Sequence, residues 1–275
     1  MPRAVRPLFA ALAALVVAAA LVGAGCGGDA DGTRPLPADR ARRAQALAVD
    51  PARGTVLVGT DRGLFRTTRA GALEPVGRER HGITGLAFAA DGTLLASGQE
   101  LERSTDGGRT WQAVRAREPT ELRLLRAADD RLYGLDATTG TLVASRDGGR
   151  RWIVRSTPPG LSDLAVDPRA PASLAGSSGG AFWRSGDGGA TWSRTSGPPG
   201  ALAWSDSGRV IVASIDARLH ESSDGGRSWT IVGRIPSPLV ALAEHRGTVL
   251  GLLATGSVIA TRDDGRRWRL VAQAT

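Results

Sequence analysis

Five aspartates in this chain recur at a spacing that invites a chemical reading. Asp106, Asp147, Asp187, Asp224 and Asp263 lie 41, 40, 37 and 39 residues apart. Each stands in a box such as Ser104-Thr105-Asp106-Gly107-Gly108-Arg109-Thr110-Trp111, and the other four close on Trp152, Trp192, Trp229 and Trp268. A set of carboxylates could supply general acids and bases, since glycoside hydrolysis uses two carboxyl groups facing each other across a cleft. The neighbouring glycines argue for a structural role instead. An Asp side chain accepts N–H bonds from the residues that follow it, as in an Asx-turn. Glycine supplies positive φ without a Cβ clash, and the closing Trp places a large apolar ring where a strand restarts. The five aspartates and five tryptophans therefore read as turn locks, and no catalytic residue is assigned among them.

Outside the boxes the chemistry-bearing residues are scattered. His81, His220 and His245 fall in separate repeats with no ligand spacing, so no metal site is expected. The single tyrosine, Tyr133, lies between Leu132 and Gly134 and reads as a packed ring with its hydroxyl satisfied. There is no phosphate loop or dinucleotide fingerprint and no nucleophile elbow. No cofactor is expected.

A fixed period near 40 residues marks a repeat architecture. The frame also falls on Arg69, within Thr67-Thr68-Arg69-Ala70-Gly71, where the box has lost its Asp and Trp. The chain thus holds six repeats, at about 45–80, 81–118, 119–158, 159–197, 198–235 and 236–275. Each carries four β signals parted by turn residues. In the first these are Leu47-Ala48-Val49, Val56-Leu57-Val58, Gly63-Leu64-Phe65-Arg66 and Glu74-Pro75-Val76. The expected fold is all-β: a six-bladed β-propeller with each box between the third and fourth strands of its blade. Every repeat has its own four strands, so the ring should close by packing first blade on last, without strand exchange.

The boxes resemble the Asp-box, or BNR, repeat of bacterial sialidases, sortilin-like receptors and photosystem assembly propellers. That resemblance implies a peripheral, non-catalytic hairpin. The stretch Leu132 to Gly140, with Gly59 to Arg66, His81-Gly82 and Ser97-Gly98, is similar to a family of secreted bacterial Asp-box lipoproteins named glycosylhydrolase-like. The likeness covers roughly residues 45–275. Sialidases, similar in fold, use an Arg triad, a Tyr nucleophile with a Glu partner, and an Asp acid. Arg234-Ile235-Pro236 matches a sialidase tripeptide, but it follows the box of Asp224 rather than preceding the first box, and it reads as coincidence.

The chain has 275 residues and a formal net charge of +8, and its 35 basic residues are all arginine. No basic helix or nucleic-acid motif gathers that charge, so no nucleic-acid partner is expected. Arg3 and Arg6 precede an apolar run from Leu8 to Val22, the pattern of a secretory signal over residues 1–25. The run is short for a membrane span. Its end, Gly23-Ala24-Gly25-Cys26, resembles a lipobox with Gly23 where Leu is usual. Cys26 is the only cysteine and cannot form an internal disulfide; the resemblance implies that it is lipidated. Residues 26–44 then form a flexible tether with a reach of about 20–25 Å.

The expected molecule is a monomeric lipoprotein, anchored to the membrane outside the cytoplasm, that binds or scaffolds an envelope protein or glycan. The alternatives are a divergent glycoside hydrolase, exo-α-sialidase-like, and an assembly factor for a membrane complex. Strand order puts the boxes on one face with the first-to-second turns. The loops on the other face differ most between repeats, and loops on a rigid scaffold are where binding residues concentrate. The candidate binding face is therefore Asp61, His81, Glu100 and Asp136. Replacing Cys26→Ser should release the protein to the medium or leave its precursor unprocessed. Cell fractionation checks this, and a variant that stays with membranes as the mature wild type does would refute lipidation.

Overall fold

The computed structural model describes residues 43–77, 82–117, 119 and 121–273. The signal segment, Cys26, residues 27–42 of the tether and His81 lie outside them. All regular structure among the described residues is strand, in six four-stranded antiparallel sheets. Blade 1 is β1 (Ala44–Val49), β2 (Val56–Thr60), β3 (Gly63–Thr67) and β4 (Leu73–Pro75), and blade 2 is β5 (Gly85–Phe88), β6 (Leu94–Ser97), β7 (Leu101–Ser104) and β8 (Gln112–Ala113). Blade 3 is β9 (Leu122–Ala128), β10 (Arg131–Asp136), β11 (Leu142–Ser145) and β12 (Ile153–Val154), and blade 4 is β13 (Leu161–Val166), β14 (Leu174–Ser178), β15 (Ala181–Ser185) and β16 (Ser193–Thr195). Blade 5 is β17 (Gly200–Trp204), β18 (Val210–Ser214), β19 (Arg218–Ser222) and β20 (Thr230–Arg234), and blade 6 is β21 (Leu239–His245), β22 (Thr248–Leu253), β23 (Val258–Thr261) and β24 (Arg269–Ala272).

Burial explains the strand patterns. The second strands β2, β14 and β18 bury all five of their residues, because both faces of the sheet meet a neighbouring blade. β2 and β18 accordingly open on continuous apolar runs, Val56-Leu57-Val58 and Val210-Ile211-Val212-Ala213, rather than alternations, whereas β14 buries Ser177 and Ser178 as well. The fourth strands β8 and β12 are fully exposed. First strands of successive blades pack on one another and surround the axis. Six apolar clusters fill the six seams between blades in turn; one joins Leu57 and Leu64 to Leu86 and Leu94, and another joins Leu219 and Ile235 to Leu242 and Val249.

The ring closes as expected, by packing and without strand exchange. Val58, Phe65 and Leu73 share a cluster with Leu250, Leu252 and Val258. The chain adds a latch beyond what the sequence suggested. Gln273 forms a parallel bridge to Ala72, and its N–H donates to the Gly71 carbonyl at 3.0 Å. This is where blade 1 has lost its box. Two boundaries also differ from expectation. β1 starts at Ala44, which the sequence left in the tether, because Ala44 is buried at the closing seam. The intact fourth strands start one residue after the box Trp, as at Gln112 and Ile153. The closing seam should be the first to open. Gln273→Pro removes the latching N–H and should cost about 1 kcal/mol. Hydrogen exchange should then rise first in β1 and β24; a uniform rise across all blades would show that the latch does not hold the seam.

Candidate functional site

The boxes were the first chemical candidates, and their geometry shows where their polar groups go. In blade 4 the buried Ser185 hydroxyl donates to Asp187 Oδ1 at 2.8 Å and accepts the Gly189 N–H at 2.9 Å. Asp187 also accepts the Thr191 N–H at 2.9 Å and the Thr191 hydroxyl at 2.6 Å. The same Ser or Thr hub recurs at Ser104, Ser145, Ser222 and Thr261. The sequence reading passed over these hydroxyls, although a Ser or Thr stands two residues before every box Asp.

These bonds hold the carboxylates ionised. The Thr191 hydroxyl and N–H, with the Ser185 hydroxyl, lower Asp187 to about 2. The Arg267 N–H and the Thr261 hydroxyl lower Asp263 to about 2. Asp106 and Asp224 are held well below the ordinary carboxylate range, first by the hydroxyls of Thr110 and Ser228. A general acid needs the opposite shift.

Each box also docks on the preceding blade. A Cβ on Gly189 (φ +82°) would lie 2.8 Å from Leu142 Cδ2, and one on Gly226 (φ +87°) would lie 2.5 Å from Phe182 Cε1. The box Trp enters the same seam. Trp192 Nε1 donates to the Ser156 carbonyl at 2.9 Å and Trp268 Nε1 to the Arg234 carbonyl at 2.7 Å, both across to the previous blade. Trp229 meets Phe182 edge to face at 4.8 Å. Trp111 and Trp152 pack into the seams before blades 2 and 3.

Asp61, Glu100 and Asp136 stand at second-to-third connections, on the face opposite the boxes. Asp136 is occupied by its own turn, accepting the Thr138 N–H at 2.8 Å and the Thr139 hydroxyl at 2.8 Å. Glu100 lines a pocket of about 310 Å³ with Glu102, Gly82 and Ser97; Asp61 and Asp136 do not line it. Tyr133 is buried, and its hydroxyl donates to the Pro171 carbonyl at 2.8 Å. No group of three His, Cys, Asp or Glu suited to a metal occurs among the described residues.

Two further features were not visible in the sequence. Arg126 and Asp163 form an ion pair at 2.7 Å in which the carboxylate is buried and the guanidinium half-buried. Arg126 also donates to the Leu164 carbonyl, and Asp163 Oδ2 accepts the Leu202 N–H at 2.8 Å, so the pair links blades 3, 4 and 5. Burial pushes the Asp163 carboxyl up, against the Arg126 charge and two backbone N–H bonds.

The second feature is a cleft of about 630 Å³ on the box side, between blades 2 and 3. Leu95, Val114 and Leu132 line it with Arg103, Arg115, Arg146 and Arg150, and with Asp91, Asp129, Asp130 and Asp147. It stays open because the β9–β10 turn is only Asp129 and Asp130, with Asp129 left-handed at φ 51°. At the next seam the longer β13–β14 loop brings Pro171 over Tyr133. A funnel of about 340 Å³ also opens toward the box face along the axis, with Asp129, Asp206, Glu244 and His245 near its mouth.

Residues 102–113, the first intact box with its flanking strands, match the BNR/Asp-box repeat family. No curated protein matches the chain in sequence. Many solved structures share the fold, among them the following three. The GH74 enzyme of Niastella koreensis has a TM-score of 0.61 at 18% identity, over 84% of this chain and 37% of that one. The GH74 xyloglucanase of Xanthomonas campestris has 0.58 at 18%, over 84% and 38%. YCF48 bound to D1 peptide has 0.56 at 15%, over 84% and 82%. The chain spans little more than a third of the two GH74 enzymes and most of YCF48. At these identities the likeness is one of fold. The protein is a six-bladed Asp-box β-propeller.

The boxes should act on stability and not on binding. Ser185→Ala leaves the buried Gly189 N–H without its acceptor and should cost about 1–3 kcal/mol. Trp192→Ala, at a half-buried ring, should cost about 3 kcal/mol. The depressed carboxylates stabilise the fold above their unfolded value of about 4. Acid should therefore unfold the protein as pH falls from there through the folded value of about 2 for Asp187 and Asp263. Denaturant melts and acid titration check both; a Ser185 variant of full stability that loses partner capture would make the box a binding element.

Proposed function

We propose that the protein is a membrane-anchored binding module outside the cytoplasm, and that it holds an extended segment of an envelope protein in the cleft between blades 2 and 3. That cleft is the observation that carries the reading. Its volume of about 630 Å³ lies in the range typical of ligand sites, which combine an apolar floor with a few polar groups. Val114 is the partly exposed apolar side chain of its floor, over the core residues Leu95 and Leu132. Exposed Arg103, Arg115, Arg146 and Arg150 offer donors to carboxylates and main-chain carbonyls, and Asp129 and Asp130 offer acceptors. An extended peptide presents all three kinds of partner along one strand. A solved propeller of this fold, YCF48, is bound to a peptide, which supports a protein partner.

Two of the four carboxylates lining the cleft speak against the hydrolase alternative. The Thr93 N–H holds Asp91 below the usual carboxylate range. For Asp147, burial is outweighed by the Arg151 N–H and the Ser145 hydroxyl, with the same net direction. Neither is poised as a general acid. A second reading keeps the contact on the opposite face, where the pocket at Glu100 favours it.

Partner capture from membranes, with cross-linking and mass spectrometry, separates the two. Arg115→Glu with Arg146→Glu should weaken capture about tenfold at unchanged melting temperature, as reversal of interface charges does. Asp61→Arg with Glu100→Arg should leave it intact. Capture that follows Asp61 and Glu100 and ignores the arginines would move the partner to the opposite face.

A further inference from the structure

The described chain begins on the face opposite the boxes, close to the axis. The Arg43 carbonyl accepts the Asp61 N–H at 3.1 Å in the β2–β3 turn. The next residue, Ala44, shares a core cluster with Ala241 of β21, whose strand starts at Leu239. The surface beside this point carries an apolar patch, with Ser162 exposed in it, Ser177 and Asp163 deeper in it and the Asp216–Arg218 ion pair next to it. A groove of about 310 Å³ is lined by Pro199, Ile215, Pro238, Leu239 and Val240. Ile215 is 85% exposed and Val240 46%. Ile215 sits in the three-residue connection from β18 to β19, where Ala217 is held left-handed at φ 63°. A single exposed apolar side chain is ordinary. Here two of them, with two prolines, converge on one groove next to the place where the chain leaves the propeller.

We propose that this groove rests on the surface of the lipid bilayer, so that the box face and its cleft point away from the membrane. The inference rests on the anchoring reading of Cys26. Residues 27–42 separate Cys26 from Arg43; a random coil of that length would span about 20–25 Å. A tether that short, leaving beside the axis of one face, keeps that face toward the lipid. Apolar side chains at a tethered surface gain by entering the interfacial zone. The opposite orientation would gain from laying the box arginines, such as Arg150 and Arg227, on anionic headgroups, and its cost lies in the tether, which would have to pass around the outside of a blade.

The test uses the full chain, reconstituted into vesicles of phosphatidylethanolamine and phosphatidylglycerol that contain brominated lipid. Cys26 is the only cysteine, so the wild type takes no maleimide label if the thiol carries its lipid and takes one label if it does not. Failure of the anchoring reading is therefore seen by itself, and it would remove the basis of the docking proposal. Ile215→Cys and Ser223→Cys, both at exposed positions, then carry a polarity-sensitive fluorophore on opposite faces. Bromine should quench the label at 215 about threefold more than the label at 223, and Val240→Asp should cut that quenching by about half. Equal quenching at the two positions, or stronger quenching at 223, overturns the proposal. So does a blue shift at 215 that grows with protein density but is not quenched, which would assign the groove to a second copy of the chain.

Discussion

The middle of a blade has no face meant for water; exposure is concentrated in its outer strand, as in β8 and β12. β2, β14 and β18 bury every residue, and the sheets are apolar on both sides, so each blade requires a neighbour on either hand. Only a closed ring gives that to all six. The box serves the same requirement. Its buried Ser or Thr ties the turn inward, the glycine two residues after its Asp lets the turn approach the Leu or Phe of the preceding blade, and its Trp fills the seam. The Asp carboxylate is consumed in holding that turn. The repeated acid is thus a by-product of closing seams, which is why five of them around a ring make no acid cluster. Blade 1 shows the rule by exception: without a box Asp or Trp, its seam is latched by Gln273 on Gly71.

The Arg126–Asp163 pair meets the same constraint by other means. Two charges taken out of water cost several kcal/mol each, and their attraction repays this only with good geometry and further hydrogen bonds. Here Arg126 satisfies the Leu164 and Leu125 carbonyls, and Asp163 satisfies the Leu164 and Leu202 N–H groups. These bonds are directional where apolar seams are not. They fix how the inner strands β9, β13 and β17 sit against one another, in the half of the ring that also holds the bulged, left-handed Leu124 at φ 56°.

The blade count, the four strands per blade, the position of the boxes and the way the ring closes were legible because each leaves a mark at a fixed period. The features that were not legible have no period. Arg126 and Asp163 lie 37 residues apart and look like any surface Arg and Asp in a chain whose basic residues are all arginine. The start of β1 at Ala44 depends on a seam partner about 200 residues away, Ala241. The cleft depends on turn length: Asp129-Asp130 reads as an unremarkable hairpin until the longer loop of the next blade shows what usually covers the seam. The variability of the second-to-third loops was visible, but variability does not say which face is concave.

Chain direction then divides the molecule between its two faces. In a blade built as a meander from the axis outward, the first strand starts on the face opposite the third-to-fourth turn. Because the ring closes without strand exchange, the N-terminal residue of the propeller belongs to an innermost strand and enters beside the axis. Had the first strand been an outer one completing the last blade, the chain would have entered at the rim. For the proposed anchor at Cys26 the difference is mechanical. A rim attachment lets a propeller swing on its edge, whereas an axial attachment holds one whole face toward the lipid. On that proposal the boxes, the arginines beside them and the cleft between blades 2 and 3 would be carried outward, where a partner could reach them without crossing the membrane-facing side.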